Sequence, residues 1–545
     1  MKKGTFTLCI LLFLFIGLNG NYAQTTKRHS GSIPLKSISC PLYGVDVNLY
    51  DDPNQDQRQA GLSIAFNGWS YACYTLSSGG FVVVKSIDNG LTWDGWESVL
   101  GSGYFFTKLD IVVTGTTVND LKVWVAYTCY DQSDHTDWYA GYENLDGDLN
   151  YLGFKDLDNF SSSYGFYDIA IASDYRNPGV NSNPFSIGIL YSKYGRPVDS
   201  LIFYCSIDGG ANFNYRKMVS TTSSYFNKVA LSYGKSQAQS NGMYFAAWEQ
   251  KQNHNDWDGN IFTSYTDPYT YSDFTPQVDI DSLEGNPGLG RNPSISTQFS
   301  NVNNSVGGMT EIVLFDLDYY GDGSDFDLVG EYNEYAATSS PYWVSFAIDN
   351  SSDNTIQSDI NFSPTNNNFL VTYFDSTLQT LPSVWEHFNM SGPNNWNVTS
   401  SGYNDNPGLT APYPKVEIDP ALSKVADVWI QDRTNGNGEA LFDAQYSNND
   451  GVKENSNDNE VTLIGVRPNP CNESASIRFE LKQPENVTIT LYDSYGKIEQ
   501  VVTDKTYNAG NFNEKVDVSW LAAGSYYFTF KAGDFLSSGK IIIIR

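Results

Sequence analysis

The sequence predicts an all-β protein, and three observations predict it. Short apolar runs alternate with polar residues over positions 43–449, the period of a half-buried strand. Clusters of Gly, Asn, Asp, Ser and Pro separate these runs as turn signals do. No stretch shows the 3.6-residue period of an amphipathic helix. The 15% aromatic content, with 38 Tyr, 31 Phe and 12 Trp, supplies strand-filling bulk and excludes a disordered chain.

The first element is a targeting segment. Lys2 and Lys3 give a positive start, Phe6–Leu18 is almost wholly apolar, and Asn21-Tyr22-Ala23-Gln24 offers a small residue for cleavage. Residues 1–24 are expected to be a secretory signal peptide and 25–42 a short extension. The apolar run is too short to span a bilayer, and Cys9 does not follow it as a lipid-bearing cysteine would. No later stretch predicts a membrane span. Five cysteines remain after cleavage, Cys40, Cys73, Cys129, Cys205 and Cys471, an odd and widely spaced set. Export permits disulfides, yet neither a disulfide scaffold nor a C-x-x-C zinc site is present.

The body of the chain repeats. A short strand of small and branched residues opens each unit, as in Leu62-Ser63-Ile64-Ala65-Phe66. Matching openers centre on Ile111, Ile169, Val229, Ile295, Ile360 and Val416, about 47–66 residues apart. A more apolar second strand follows, for example Val123–Tyr127, Tyr244–Trp248, Leu370–Phe374 or Val428–Ile430. A third strand ends in a turn, as Leu201–Tyr204 does, and a fourth is weaker. Four strands repeated about seven times predict a β-propeller over 43–449, with six or eight blades left open. The last repeat lacks a strand, which Gly44–Leu49 would supply to close the ring. Residues 450–460 (DGVKENSNDNE) read as a polar linker, and 461–545 as a small C-terminal β-sandwich. Its strands are expected at Ile477–Leu481, Val487–Tyr492, Lys515–Val518, Tyr526–Phe530 and Lys540–Ile544.

Charge narrows the partners. Acidic residues outnumber basic ones 62 to 32, a net charge of −30, which excludes nucleic acid and disfavours anionic lipid. An extracellular glycan or protein ligand stays open.

Ser86-Ile87-Asp88-Asn89-Gly90-Leu91-Thr92-Trp93 is an S-x-D-x-G-x-T-W turn, and Ser206, Asp208, Gly210 and Phe213 form a second copy. Degenerate copies span Asn144–Tyr151, which keeps Asp146, and Asn389–Trp396. An Asp accepts turn amides, Gly supplies a positive φ, and the aromatic packs between strands, so the motif is expected to be structural. It resembles the Asp-box of bacterial neuraminidase repeats, best known from sialidases. The resemblance implies a propeller, and for a sialidase it implies three arginines on a carboxylate, a Tyr/Glu nucleophile pair and an Asp acid/base. The sialidase Arg-Ile-Pro signature is missing; Arg291-Asn292-Pro293 and Arg176-Asn177-Pro178 are loose echoes.

Loops that enter first strands, or join second to third strands, share the face opposite the Asp-boxes. Arg58, Arg196, Arg291 and Arg433 are expected there. So are His135, Asp137 and Trp138, with His254, Asp256 and Trp257 at the equivalent repeat position, a set suited to sugar stacking and hydrogen bonding. Asp316, Asp318, Asp322, Asp325 and Asp327 crowd one loop with Gly321 and Gly323, and calcium is the ion such oxygens would suit.

The C-terminal unit carries Arg467-Pro468-Asn469-Pro470, Leu491–Lys497, Asp517–Leu521, Gly524–Tyr527 and Lys540–Ile543 in order. It resembles the type A C-terminal sorting domain of the type IX secretion system. That resemblance implies engagement of the secretion machinery, export across a Gram-negative outer membrane, and cleavage of the domain on release or surface attachment. Two functions compete: a module binding extracellular glycan or protein, and a glycoside hydrolase of the exo-sialidase type. The missing Arg-Ile-Pro and the lack of a recognisable Tyr/Glu pair favour binding.

Overall fold

The computed structural model describes residues 46–445 and 461–545 apart from loop segments, of which the longest are 175–184, 282–289, 299–308, 388–395 and 401–412. The expected signal peptide, the extension and the 450–460 linker lie outside the described residues. The described chain is strand and turn, with two single-turn 3-10 segments and no α-helix.

Between Val47 and Gln445 lie seven four-stranded antiparallel sheets. Their first strands are Gln57–Ile64, Tyr104–Thr114, Phe166–Ser173, Tyr225–Gly234, Gly290–Thr297, Thr355–Ser363 and Lys415–Ile418, and each contains one of the sequence openers. Six sheets are simple meanders in chain order. The seventh takes its outer strand from the other end of the body, where Val47 and Asn48 pair with Phe442 and Leu441. First strands of successive sheets pack against one another, and the seventh packs against the first, so they close a ring.

The second strands read as nearly continuous apolar runs because neighbouring sheets cover both of their faces. Val123, Trp124, Val125, Ala126 and Tyr127 are all buried. Trp124, Trp248 and Trp429 recur in second strands. Their indole N–H groups find partners inside the core, Thr114 for Trp124 at 3.0 Å and Gln431 for Trp429 at 3.3 Å. The described cysteines Cys73, Cys129, Cys205 and Cys471 are buried and free.

One irregularity recurs and positions the site. The first six first strands each break register near the start of their pairing with the second strand, between Arg58 and Gly61, Phe106 and Lys108, Phe166 and Asp168, Phe226 and Val229, Arg291 and Ser294, and Ile356 and Asp359. Gln59, Asn292 and Gln357 adopt positive φ within these bulges, and Tyr413 does so just before the seventh first strand. A bulge bends its strand and re-aims the residues that follow. Here they turn to the ring axis.

The C-terminal unit is two facing sheets. Val461–Arg467, Ser474–Leu481 and Gly510–Asp517 make one; Ile498–Tyr507, Glu485–Tyr492, Gly524–Ala532 and Phe535–Ile543 make the other. Ile477 and Phe479 pack with Ile489, Leu491, Phe530 and Ile541 between them. The Arg545 guanidinium donates to the carbonyls of Val518 at 2.8 Å and Ser519 at 2.9 Å, and also to those of Asn472 and Leu521.

Candidate functional site

The strand order separates two faces of the ring. Asp-box turns join third to fourth strands; the bulged starts of the first strands lie on the opposite face. At the second box the Ser206 hydroxyl accepts the Gly210 N–H at 2.9 Å, and Asp208 accepts the Asn212 N–H at 2.9 Å. Gly210 has φ +84 and lies so close to Trp124 that a Cβ would stand 2.0 Å from the indole. Phe213 packs 4.8 Å from the Tyr142 ring. At the first box Ser86 accepts the Gly90 N–H at 2.8 Å, and Trp93 packs 4.8 Å from Phe442 of the seventh sheet. Thr92 is exposed, and Asp88 lies outside the described residues. Each box therefore joins its sheet to the preceding one.

On the opposite face, the axis gathers charge. Lys108, Asp168, Lys228, Asp359 and Lys415 stand at or just beyond the bends of five first strands. Asp168 accepts the Val229 N–H at 3.1 Å, and Asp359 accepts the Val416 N–H at 2.9 Å. One turn of the pleat deeper, Asp110 accepts the Ile171 N–H at 2.9 Å. These carboxylates are thus pins between adjacent sheets. The Lys415 ammonium lies 3.3 Å from Asp359, and Lys228 lies 3.9 Å from Asp168. Lys228 and Lys108 both sit over the Tyr413 ring, at 4.6 and 5.8 Å from its centre. A cavity of about 130 Å³ follows along the axis, lined by all seven first strands, with Asp110, Ser296, Asn361, Lys415 and Glu417 among its polar walls.

Electrostatics at this mouth is uneven. Burial pushes the Asp110 carboxyl up to about 6 against the pull of Lys415 and two backbone amides. Burial opposes the charge on Lys415, but Asp359 and Asp110 outweigh it and hold its pKa above the usual value. The Lys415 side chain is still 40% accessible. Lys108 is the reverse case. Burial and the adjacent Lys228 ammonium bring it down to about 8, with Asp168 opposing.

None of these axial residues stands out in the sequence as a candidate. A signal is present all the same: Asp110, Asp168, Lys228, Asp359 and Lys415 each directly precede an opener residue, where Gly61 and Ser294 stand in the other two repeats.

The residues expected on this face are placed as follows. Arg58 pairs with Asp56 at 2.8 Å and Asp432 at 2.7 Å. Arg291 lies 3.5 Å from Asp316 and covers the Phe326 ring at 3.3 Å. Arg433 pairs with Glu439 at 3.1 Å. No carboxylate is shared between them, and Arg196 lies outside the described residues. Trp138 belongs to an aromatic row, Phe105–Tyr130–Trp138–Phe160, directly paired across all four strands of the second sheet. Its ring lies against Gly165, where a Cβ would approach to 2.1 Å, so it fills the joint to the third sheet. His135 is exposed at positive φ beside Tyr130, and Asp137 is hydrogen-bonded to Ser161. Asp256 accepts the Asn253 N–H at 2.8 Å; His254 and Trp257 lie outside the described residues.

The pairing register divides the acidic loop. Asp316 and Asp318 face Leu328 and Phe326, whereas Asp327 faces Leu317, so Asp327 projects from the other side of the sheet. Asp316 accepts from Asn292 at 2.8 Å and from the Gln357 N–H at 2.9 Å. Asp318 accepts the N–H groups of Gly321 and Gly323 at 2.8 and 2.7 Å. Asp325 stands beside Asp327 and helps burial to raise it to about 7. Asp322 lies outside the described residues, and among those described no group of three or more His, Cys, Asp or Glu could hold a metal.

Comparison with known proteins identifies the C-terminal unit. Residues 466–544 match the family model described as "Secretion system C-terminal sorting domain". This tail implies engagement of the type IX secretion machinery and export to the cell surface or beyond. No curated protein matches the chain. Among solved structures, a protein of unknown function from Dyadobacter fermentans is 11% identical, with 75% of this chain and 99% of that one covered at a TM-score of 0.40. The Aleuria aurantia lectin is 13% identical over 64% of this chain and 97% of its own, at 0.37. The intramolecular trans-sialidase of Ruminococcus gnavus is 10% identical over 74% and 98%, at 0.37. Among the described residues no helix is long and apolar enough to cross a membrane.

Proposed function

We propose that this is an exported seven-bladed β-propeller that binds an extracellular glycan at its axial mouth without cleaving it. One observation carries the reading. Charged, hydroxyl and aromatic side chains from the first strands converge on the axis, while Asp110, Asp168 and Asp359 each already hold a backbone N–H of the next sheet. A hydrolytic acid or nucleophile must face the reacting carbon, and these carboxylates are committed elsewhere. Arg58, Arg291 and Arg433 are likewise tied to separate carboxylates, which argues against a joint clamp on a sialoside. The seven sheets are read as seven blades, with Val47–Asn48 closing the ring.

Two assays on the mature full-length protein test this. Retention on a glycan array, with no release of 4-methylumbelliferone from its sialoside above a no-enzyme blank, is the expected result. Turnover lost in Arg291→Lys or Arg433→Lys would establish the hydrolase instead. Neither retention nor turnover would leave a protein ligand.

A further inference from the structure

We infer that the paired lysines Lys108 and Lys228 at the axial mouth form an anion site, which takes the carboxylate or sulfate group of an acidic saccharide. This rests on the glycan-binding reading above and names its ligand class.

The two side chains come from the second and fourth sheets and meet over Tyr413 of the seventh. Lys228 is near enough to Lys108 for its charge to disfavour the Lys108 ammonium. Two ammonium groups over one ring repel, and a low-dielectric setting sharpens the repulsion. The charges that face the pair are known. Asp168 is 3.9 Å from Lys228 and also holds the Val229 N–H. Asp359 and Asp110 face Lys415, the third lysine of the mouth. Among the described residues no carboxylate lies within salt-bridge distance of Lys108. Half-buried Lys108 draws, among the described residues, on Asp168 and the Tyr413 ring rather than on a carboxylate paired with it alone, so the two ammonium charges are incompletely balanced. An exogenous anion bridging Lys108 and Lys228 would supply the missing charge.

The surroundings suit a saccharide better than a bare ion. The Tyr413 ring can receive the apolar face of a sugar. Beyond the lysines the polar walls of the 130 Å³ cavity, Ser296 and Asn361 among them, offer hydroxyl and amide groups for hydrogen bonds. Burial and Lys228 lower the Lys108 ammonium to about 8, and a bound anion raises it again, so binding takes up a proton near that pH. Affinity should therefore fall as pH rises through 8; Asp168 faces the pair from the third sheet, Tyr413 and Lys415 from the seventh, and Asp110 and Asp359 face Lys415.

Isothermal titration of the mature full-length protein at pH 7 with glucuronate, glucose and sodium sulfate tests the inference. Wild type should bind glucuronate and not glucose. Lys108→Met and Lys228→Met should each weaken glucuronate by at least about tenfold, the scale of a lost charge-assisted contact. Lys108→Met should melt no lower than wild type without ligand, because it removes a like-charge contact; this separates lost binding from lost folding. Sulfate bound through the same lysines, with glucuronate unbound, would support the anion pair and overturn a uronic acid as its ligand. Glucuronate bound equally by wild type and Lys108→Met, or neither glucuronate nor sulfate bound by wild type, would overturn the site. Array retention of neutral glycans unaffected by either substitution would overturn it too, while leaving the binding function intact.

Discussion

Gly90 turns beneath Phe442 so closely that a Cβ on it would lie 2.0 Å from the ring. Gly90 belongs to the Asp-box of the first sheet and Phe442 to the third strand of the seventh, so this contact lies at the closure of the ring. Its φ of +86 already favours glycine. Gly90→Ala is expected to lower stability by about 2–4 kcal/mol, the range of overpacking added to backbone strain. Gly436 is the control, with φ +83 and open space where a Cβ would stand, nothing lying within 4 Å. Gly436→Ala should cost about 1 kcal/mol, from strain alone. Urea unfolding of both variants checks this, and equal losses would refute the ring-closure account.

The second box gives a test of its structural role. Burial opposes the Asp208 charge, yet the Ser206 hydroxyl and the Asn212 amides outweigh it and hold the carboxyl below its usual range. Asp208→Ala should cost about 1–2 kcal/mol by leaving these turn donors unpaired. Ligand binding per folded molecule should not change, because the turn lies on the face opposite the axial mouth. A variant of native stability with lost binding would assign the box a functional part.

Buried carboxyls set the pH dependence. Burial pushes Glu311, Asp174 and Asp316 up to about 7, and Asp110 to about 6. Between pH 4 and 7 the native state keeps protons that the unfolded chain releases. Stability should therefore fall as pH rises through that window. Glu311 is buried with Thr263 as its donor, and its share is on the order of 1–3 kcal/mol. Thermal unfolding should give a higher Tm at pH 5 than at pH 8, and Glu311→Gln should flatten the difference. A Tm that rises from pH 5 to 8 would contradict this sign.

What can be read from sequence follows from what local pattern encodes. The openers around Ile111, Ile169 and Val229 mark first strands because small and branched residues alternate there and turn residues bound them. The Val123–Tyr127 run marks a covered strand because both of its faces are apolar. Ile498–Tyr507 escapes the pattern, since Glu499, Asp504 and Lys505 give this strand a mostly solvated surface. The axial mouth is unreadable for a different reason. Lys108, Lys228 and Tyr413 lie up to about 300 residues apart in the chain, and only ring closure brings them together. A lone charge before an opener looks like a solvated strand end. Likewise, spacing places Arg58, Arg291 and Arg433 at strand ends, but not beside Asp432, Asp316 and Glu439, which decide whether they are available to a ligand.

The sorting domain offers the last test. Residues 466–544 match a secretion-system sorting family, and the two facing sheets share one core, so whatever signal these residues carry is presented on a folded unit. Deleting 461–545 should leave the protein in the periplasm. Fusing those residues behind a signal peptide and a fluorescent reporter should carry the reporter outside a host with a working type IX system. Arg545 refines the test. Its guanidinium ties the Val518–Leu521 turn and Asn472 together through backbone carbonyls, and Arg545→Ala frees them all. The loss should be about 1–3 kcal/mol, given several charge-assisted bonds at a partly exposed site. If export needs the folded surface, the exported fraction of the Arg545→Ala reporter should drop as its melting temperature drops, and Arg545→Lys should restore part of both. A reporter retained in the periplasm despite an intact, folded domain would show that these residues are not a sufficient address.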